Sequence, residues 1–191
     1  MEGGRVTAAW MSRFGALWLA ALLAFGAVEA SAASAPLPAP ASYLIVLGRS
    51  IGGVKLGQQL SSAKKQWGKA NDCSYTATLH QTACVYGNNQ AQAGFYALRG
   101  KVVTVYITAN CGGPLFFGPI SASVTSCKAR QDLHRFSTSL GIRVGSTSNE
   151  VMRAYPRADH NKNDIVIGRG AHTTQFSIKD GLVFNVQIGA A

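Results

Sequence analysis

The segment GVKLGQQLSSAKKQWGKAN, Gly53 to Asn71, returns later in the chain as GIRVGSTSNEVMRAYPRAD, Gly141 to Asp159. The copies align without a gap at an offset of 88 residues (145 − 57). Gly53, Gly57 and Ala70 recur as Gly141, Gly145 and Ala158, while Lys55/Arg143, Ala63/Val151, Trp67/Tyr155 and Lys69/Arg157 keep their chemistry. Leu60, Ala63 and Trp67 fall at i, i+3 and i+7, which predicts a short helix with one buried face. Ser61 or Ser62 is expected to bond a first-turn amide, and Gly68 to end the helix. In the second copy Ser146 or Ser148 is the expected cap. Glu150 lies in the first turn, where the helix dipole favours a carboxylate, and Pro156 is the stop. Helices this short are marginal alone, so Trp67 and Tyr155 are expected to fasten them to a sheet.

A second echo follows each copy. FYALRGKVVTVYI, Phe95 to Ile107, aligns with FSIKDGLVFNVQI, Phe176 to Ile188, at an offset of 81 residues (181 − 100). Both read as hairpins, with turns at Arg99-Gly100 and Asp180-Gly181. Cys73 to Leu79 alternates with period two, His80 and Gln81 turn, and Ala83 to Tyr86 returns. Two blocks recurring in the same order predict a tandem repeat. The expected fold is α+β: two repeats, each a short helix packed on a small antiparallel sheet.

Arg5 and Arg13 precede the apolar run Phe14 to Val28, and small residues follow it. This is the pattern of a signal peptide cut between Ala30 and Ala33, the rival reading being an uncleaved anchor. The expected organisation is a signal peptide over 1–32 and a Pro/Ala linker over 33–42 with nothing to bury. A first repeat over 43–110, an insert over 111–140 and a second repeat over 141–191 complete it. Export places the product in the periplasm, at the cell envelope or outside the cell.

The four cysteines, Cys73, Cys84, Cys111 and Cys127, all lie in the exported part. An even count in an oxidising compartment reads as two disulfides. Three pairings are open. Cys73–Cys84 and Cys111–Cys127 are favoured, because each pair brackets one local excursion. No Cys-x-x-Cys pair is present, so no zinc site is expected. Neither is any other metal or cofactor, since phosphate-loop, dinucleotide and calcium-loop motifs are absent.

The chain carries 18 basic and 8 acidic residues, a net charge of +10. Removing Arg5, Arg13, Glu2 and Glu29 leaves the balance unchanged (16 − 6). Such a charge suits anionic partners such as an envelope polymer. Lys128, Arg130, Arg135, Arg153 and Arg157 are candidates for a basic patch. Nucleic acid is not an expected partner for an exported chain without a recognition motif.

A glycine-bounded entry, a short helix ending in an aromatic and a hairpin with a glycine turn resemble a known family. It is the small exported repeat of the β-lactamase inhibitor protein and of the lipoprotein that assists outer-membrane barrel assembly. The match covers Gly53 to Ile107 and Gly141 to Ile188. The Cys73–Cys84 excursion resembles the disulfide hairpin after the helix in that inhibitor. The resemblance implies two helix-on-sheet units and a binding style that uses aromatic residues on the sheet faces.

The expected function is a non-enzymatic exported binding module that docks on a protein or an anionic envelope polymer. Phe116 and Phe117, on a Gly/Pro loop inside the Cys111–Cys127 bracket, are the leading contact candidates, with Tyr75, Tyr86 and Tyr96. The alternatives are an inhibitor of a secreted enzyme such as a β-lactamase, and a small hydrolase using Ser50 or His160. Gly48-Arg-Ser50-Ile-Gly52 spells the nucleophile-elbow pattern, but a hydrolase needs that serine on a strand-to-helix turn. The text after Gly52 does not start a helix, and a glycine-permitted turn is the simpler reading.

Overall fold

The computed structural model describes residues 36–88, 91–109 and 131–189, with residues 131 and 132 as backbone only. The residues from Ser34 onward form one compact unit. Its elements in chain order begin with three short strands, β1 (Leu44–Val46), β2 (Ser50–Ile51) and β3 (Val54–Lys55), and then α1 (Leu60–Trp67). Four longer strands follow: β4 (Asp72–Thr76), β5 (Gln81–Asn88), β6 (Ala91–Leu98) and β7 (Lys101–Ala109). After β8 (Ser137–Thr138) come α2 (Ser148–Ala154), β9 (Asp159–His160), β10 (Asp164–Ile167), β11 (Thr174–Lys179) and β12 (Leu182–Gly189). Gln131–Arg135 is a 3-10 helix.

The architecture corrects the expected one. The molecule is mostly β, with an eight-stranded sheet ordered β4-β5-β6-β7-β12-β11-β10-β9 and a four-stranded sheet ordered β3-β2-β1-β8. It is not two tandem helix-on-sheet repeats. The join is antiparallel pairing of β7 with β12, Val105 opposite Ile188 and Ile107 opposite Val186. Two separate sheets would each expose an edge of unpaired amides and carbonyls, and pairing them removes both edges.

The two central hairpins form where their turns require it. Arg99 and Gly100 have φ of 49° and 76°, and Asp180 and Gly181 have 52° and 76°. Two successive positive φ values match the twist of paired strands.

The core lies on one face of the large sheet. Ala63 and Trp67 of α1, Ile51 and Val54 of the small sheet, and Leu133 and Phe136 pack with Phe95, Val105 and Ile107. Trp67 is 3% exposed, and its ring centroid lies 5.4 Å from Tyr86 and 5.6 Å from Phe95. Its indole N–H donates to the Gly52 carbonyl at 3.0 Å. A Cβ on Gly52 would sit 2.9 Å from that nitrogen, so glycine is required for the approach. Tyr155 follows α2, half-buried, and stacks on Phe176 at 6.2 Å.

Three local expectations are corrected. Residues 36–42 are not an idle linker: Pro38 and Pro40 are buried, Leu37 packs on the core, and the Pro36 carbonyl accepts from Gly87 N–H. The cap of α2 is Thr147, neither Ser146 nor Ser148. Its hydroxyl accepts from Glu150 N–H while Glu150 accepts from Thr147 N–H, a reciprocal capping box. Neither Ser61 nor Ser62 caps α1, whose N-cap Gln59 makes no side-chain cap bond.

Candidate binding face

Strand alternation gives the large sheet a second face, opposite the helices and the small sheet. One row of this face runs across the register as Val85, Gly94, Tyr106, Gln187, Gln175 and Val166. A second runs as Gln92, Thr108, Asn185, Ser177 and Asp164. Tyr96 pairs with Thr104 in a third. The middle of this face carries hydroxyls, amides and two phenols: Thr104, Thr108 and Tyr106 are buried, while Tyr96, Gln92, Gln175, Asn185 and Gln187 are half-buried. Asp164 lies in the second row, and Asp72 and Asp159 end the first.

Tyr96 and Tyr106 stack with ring centroids 5.7 Å apart. The Tyr106 phenol lies over Gly94, where a Cβ would come within 2.4 Å of its oxygen. Space, not backbone conformation, is what glycine supplies at that position. The two hydroxyls are hydrogen-bonded to each other, and burial pushes Tyr96 up to about 12 and Tyr106 higher still. Both phenols are neutral donors and acceptors at physiological pH. The amides are held too: Gln175 donates to Asp164 at 2.8 Å and Asn185 to Ser177 at 3.4 Å.

The residues proposed from sequence are scattered. Tyr96 belongs to this face. Tyr86 does not: it is 1% exposed, packs on Trp67 and donates its hydroxyl to the Gly68 carbonyl at 3.1 Å. It is a core residue and is withdrawn as a contact. Tyr75 is exposed on β4, its hydroxyl 3.3 Å from His80 Nδ1. Cys73 and Cys84 are directly opposite in β4 and β5 and form the expected disulfide. Cys111, Cys127, Phe116, Phe117, Lys128 and Arg130 lie outside the described residues.

Of the described basic candidates, the Arg135 guanidinium lies 5.9 Å from the Tyr43 ring, a cation–π contact. Arg153 lines an open groove of about 670 Å³ beside α2, with Arg143, Glu150, Ser146 and Leu140. The backbone and hydroxyl of Thr147 hold the Glu150 carboxyl below its usual range, with Arg153 and Arg143 adding smaller effects. Arg157 is exposed beyond the end of α2.

Ser50 does not occupy an elbow. It is a buried residue of β2, and α1 begins at Leu60. His160 sits in β9 opposite Ile165, and His172 Nδ1 lies 3.1 Å from the Gly48 carbonyl. Among the described residues no three His, Cys, Asp or Glu side chains gather where they could hold a metal ion. Sequence reading missed Tyr106, whose signal was the unclaimed glycine at position 94, the residue opposite it.

No protein-family model matches this chain, and no curated protein matches it. Two solved structures are similar in part. One is an extracellular protein containing an SCP domain from Bacillus anthracis, 15% identical, with a TM-score of 0.36, covering 69% of this chain and 43% of that one. The other is a cysteine-rich secretory protein from Staphylococcus aureus, 11% identical, with a TM-score of 0.37, covering 78% and 48%. This chain thus spans less than half the length of either. TM-scores this low establish no common fold, and nothing about activity is taken from them. Neither structure is a β-lactamase inhibitor or an assembly lipoprotein. The continuous sheet described above is the ground on which the expected kinship to that repeat family is withdrawn.

Proposed function

We propose that this chain is a non-enzymatic binding module that acts outside the cytoplasm, and that the sheet face around Tyr96 and Tyr106 contacts a protein partner. The observation that carries the reading is half-buried Tyr96, backed by the buried Tyr106 ring and set with half-buried Gln92 and Gln187 on the face away from the helices. Tyrosines supply large contact area at low entropic cost, and short amides and hydroxyls add adaptable hydrogen bonds. The charge distribution selects the partner class. The three rows around the tyrosine pair carry Asp72, Asp159 and Asp164 but no lysine or arginine, so an anionic polymer finds no counter-charge there; Lys101 and Lys179 lie further along the face, toward its two ends. The Cys73–Cys84 disulfide fits an oxidising compartment.

A photo-crosslinking phenylalanine analogue at Tyr96 tests the reading in the producing cell. The expected result is a protein adduct that is lost when Gln92→Ala and Gln187→Ala are added. Absence of an adduct, or an adduct indifferent to both substitutions, contradicts it.

A further inference from the structure

Three of the large apolar side chains exposed among the described residues gather at one end of the eight-stranded sheet. Tyr75 is 62% exposed, Leu79 59% and Leu98 43%. They share that end because two turns are tied together there. Arg99 N–H donates to the His80 carbonyl at 2.9 Å, Gln81 is opposite Leu98, and the Tyr75 hydroxyl meets His80. Leu44 and Leu140, the other two exposed leucines, belong to the small sheet and the turn after β8.

Cations ring the same end. Arg99 and Lys101 are exposed on either side of Gly100. Gln59 bridges to Lys101, and the neighbouring Gln58 accepts from Lys55 N–H at 2.8 Å, which brings exposed Lys55 alongside. No carboxylate lies in these segments. Asp72 is at the far end of β4, opposite Val85, and the other described acids belong to the second half of the chain.

A single exposed leucine is ordinary. Three apolar tips inside a ring of cations are not, and the combination discriminates between partners. A soluble polyanion uses the cations and gains nothing from Leu79 and Leu98. A membrane surface uses both: apolar tips enter the boundary between headgroups and acyl chains, and cations attract anionic headgroups. We infer that this end of the sheet docks on an anionic lipid bilayer, Tyr75, Leu79 and Leu98 entering the headgroup boundary and Lys55, Arg99 and Lys101 facing the lipid phosphates. The inference goes beyond the binding-module reading and uses a different surface, so each can fail alone.

The test is vesicle flotation with the compact unit from Ser34 to Ala191, which leaves out the N-terminal apolar run. The protein is expected to float with vesicles containing phosphatidylglycerol and to stay down with phosphatidylcholine alone. Arg99→Gln with Lys101→Gln should weaken binding roughly 30-fold, at about a factor of five for each cation. Leu79→Ser with Leu98→Ser should weaken it about tenfold or more at unchanged net charge. All four sites are exposed, so the variants fold, and an unchanged denaturation midpoint checks this. A charge-matched control at the other end, Lys162→Gln with Lys179→Gln, and the face variant Tyr96→Ala should float like the parent. Equal loss in the control overturns the inference in favour of diffuse attraction. Binding to soluble polyphosphate that survives Leu79→Ser with Leu98→Ser, without flotation, overturns it in favour of a polymer.

Discussion

At the entry to α1, Gly57 N–H donates to Val102 at 2.7 Å, Leu60 N–H to Gly100 at 2.8 Å, and Val102 N–H returns to Gln58 at 2.9 Å. At the entry to α2, Gly145 N–H donates to Val183 at 2.8 Å, Ser148 N–H to Gly181 at 2.9 Å, and Val183 N–H returns to Ser146 at 2.8 Å. The same three backbone bonds tie each helix start to the tip of a hairpin. Antiparallel pairing of β7 and β12 puts the two tips at opposite ends of the sheet. Their side chains then diverge. The first tip carries Tyr75, Leu79, Leu98, Arg99 and Lys101; the second carries Asn161, Lys162, Asn163, Lys179, Asp180 and Leu182. Backbone geometry determines how a tip is built and leaves its surface chemistry free. Shared construction therefore does not imply shared use.

The core contacts give the largest expected contrast between the halves. Trp67 is sealed among three rings and hydrogen-bonded, whereas Tyr155 has one stacked partner and is half open. Trp67→Ala should cost about 3–5 kcal/mol in urea denaturation, and Tyr155→Ala about half of that. Equal costs would mean that the two helices are fastened alike. The disulfide belongs to the first half alone. Replacing both Cys73 and Cys84 by Ser should cost about 2–4 kcal/mol, and a loss below about 1 kcal/mol would mean that β4 is held by its neighbours without it.

The caps come next. Thr147→Ala breaks a reciprocal pair of bonds and should cost about 1 kcal/mol. Gln59→Ala, at the matching position, removes no cap bond and should change stability by a few tenths of a kcal/mol at most, about the size of an ordinary surface substitution. A separate effect, not tied to a substitution, is alkaline. Burial raises Tyr86 and Tyr96 from 10.0 to about 12, so the folded chain keeps these protons after the unfolded chain has begun to lose them. Stability should be flat on this account below pH 10 and fall between pH 10 and 12. Tyr86→Phe with Tyr96→Phe should reduce the fall of the denaturation midpoint over that window, the remainder coming from Tyr106.

What the sequence revealed follows the range of the signal. The hairpins were legible because Arg99-Gly100 and Asp180-Gly181 are local turn signals, and the burial of Trp67 because helical spacing is local too. The pairing of β7 with β12 joins residues about 80 positions apart and leaves no periodic trace, so the two halves read as separate units. Strands of two residues, as in the small sheet, are too short to show alternation. Thr147 was passed over because three adjacent residues could each cap. Tyr86 was misread as a contact because alternation shows which residues share a face, and not which face is covered. The same ambiguity hid Leu79 and Leu98, whose exposure depends on where the sheet ends.

Hydrogen exchange of the Ser34–Ala191 unit, with and without phosphatidylglycerol vesicles, tests the contrast between the tips most directly. Vesicles should slow exchange in residues 75–81 and 98–101 and leave 161–163 and 179–182 unchanged. Protection of both ends alike, or of neither, would contradict the assignment of membrane docking to the first tip.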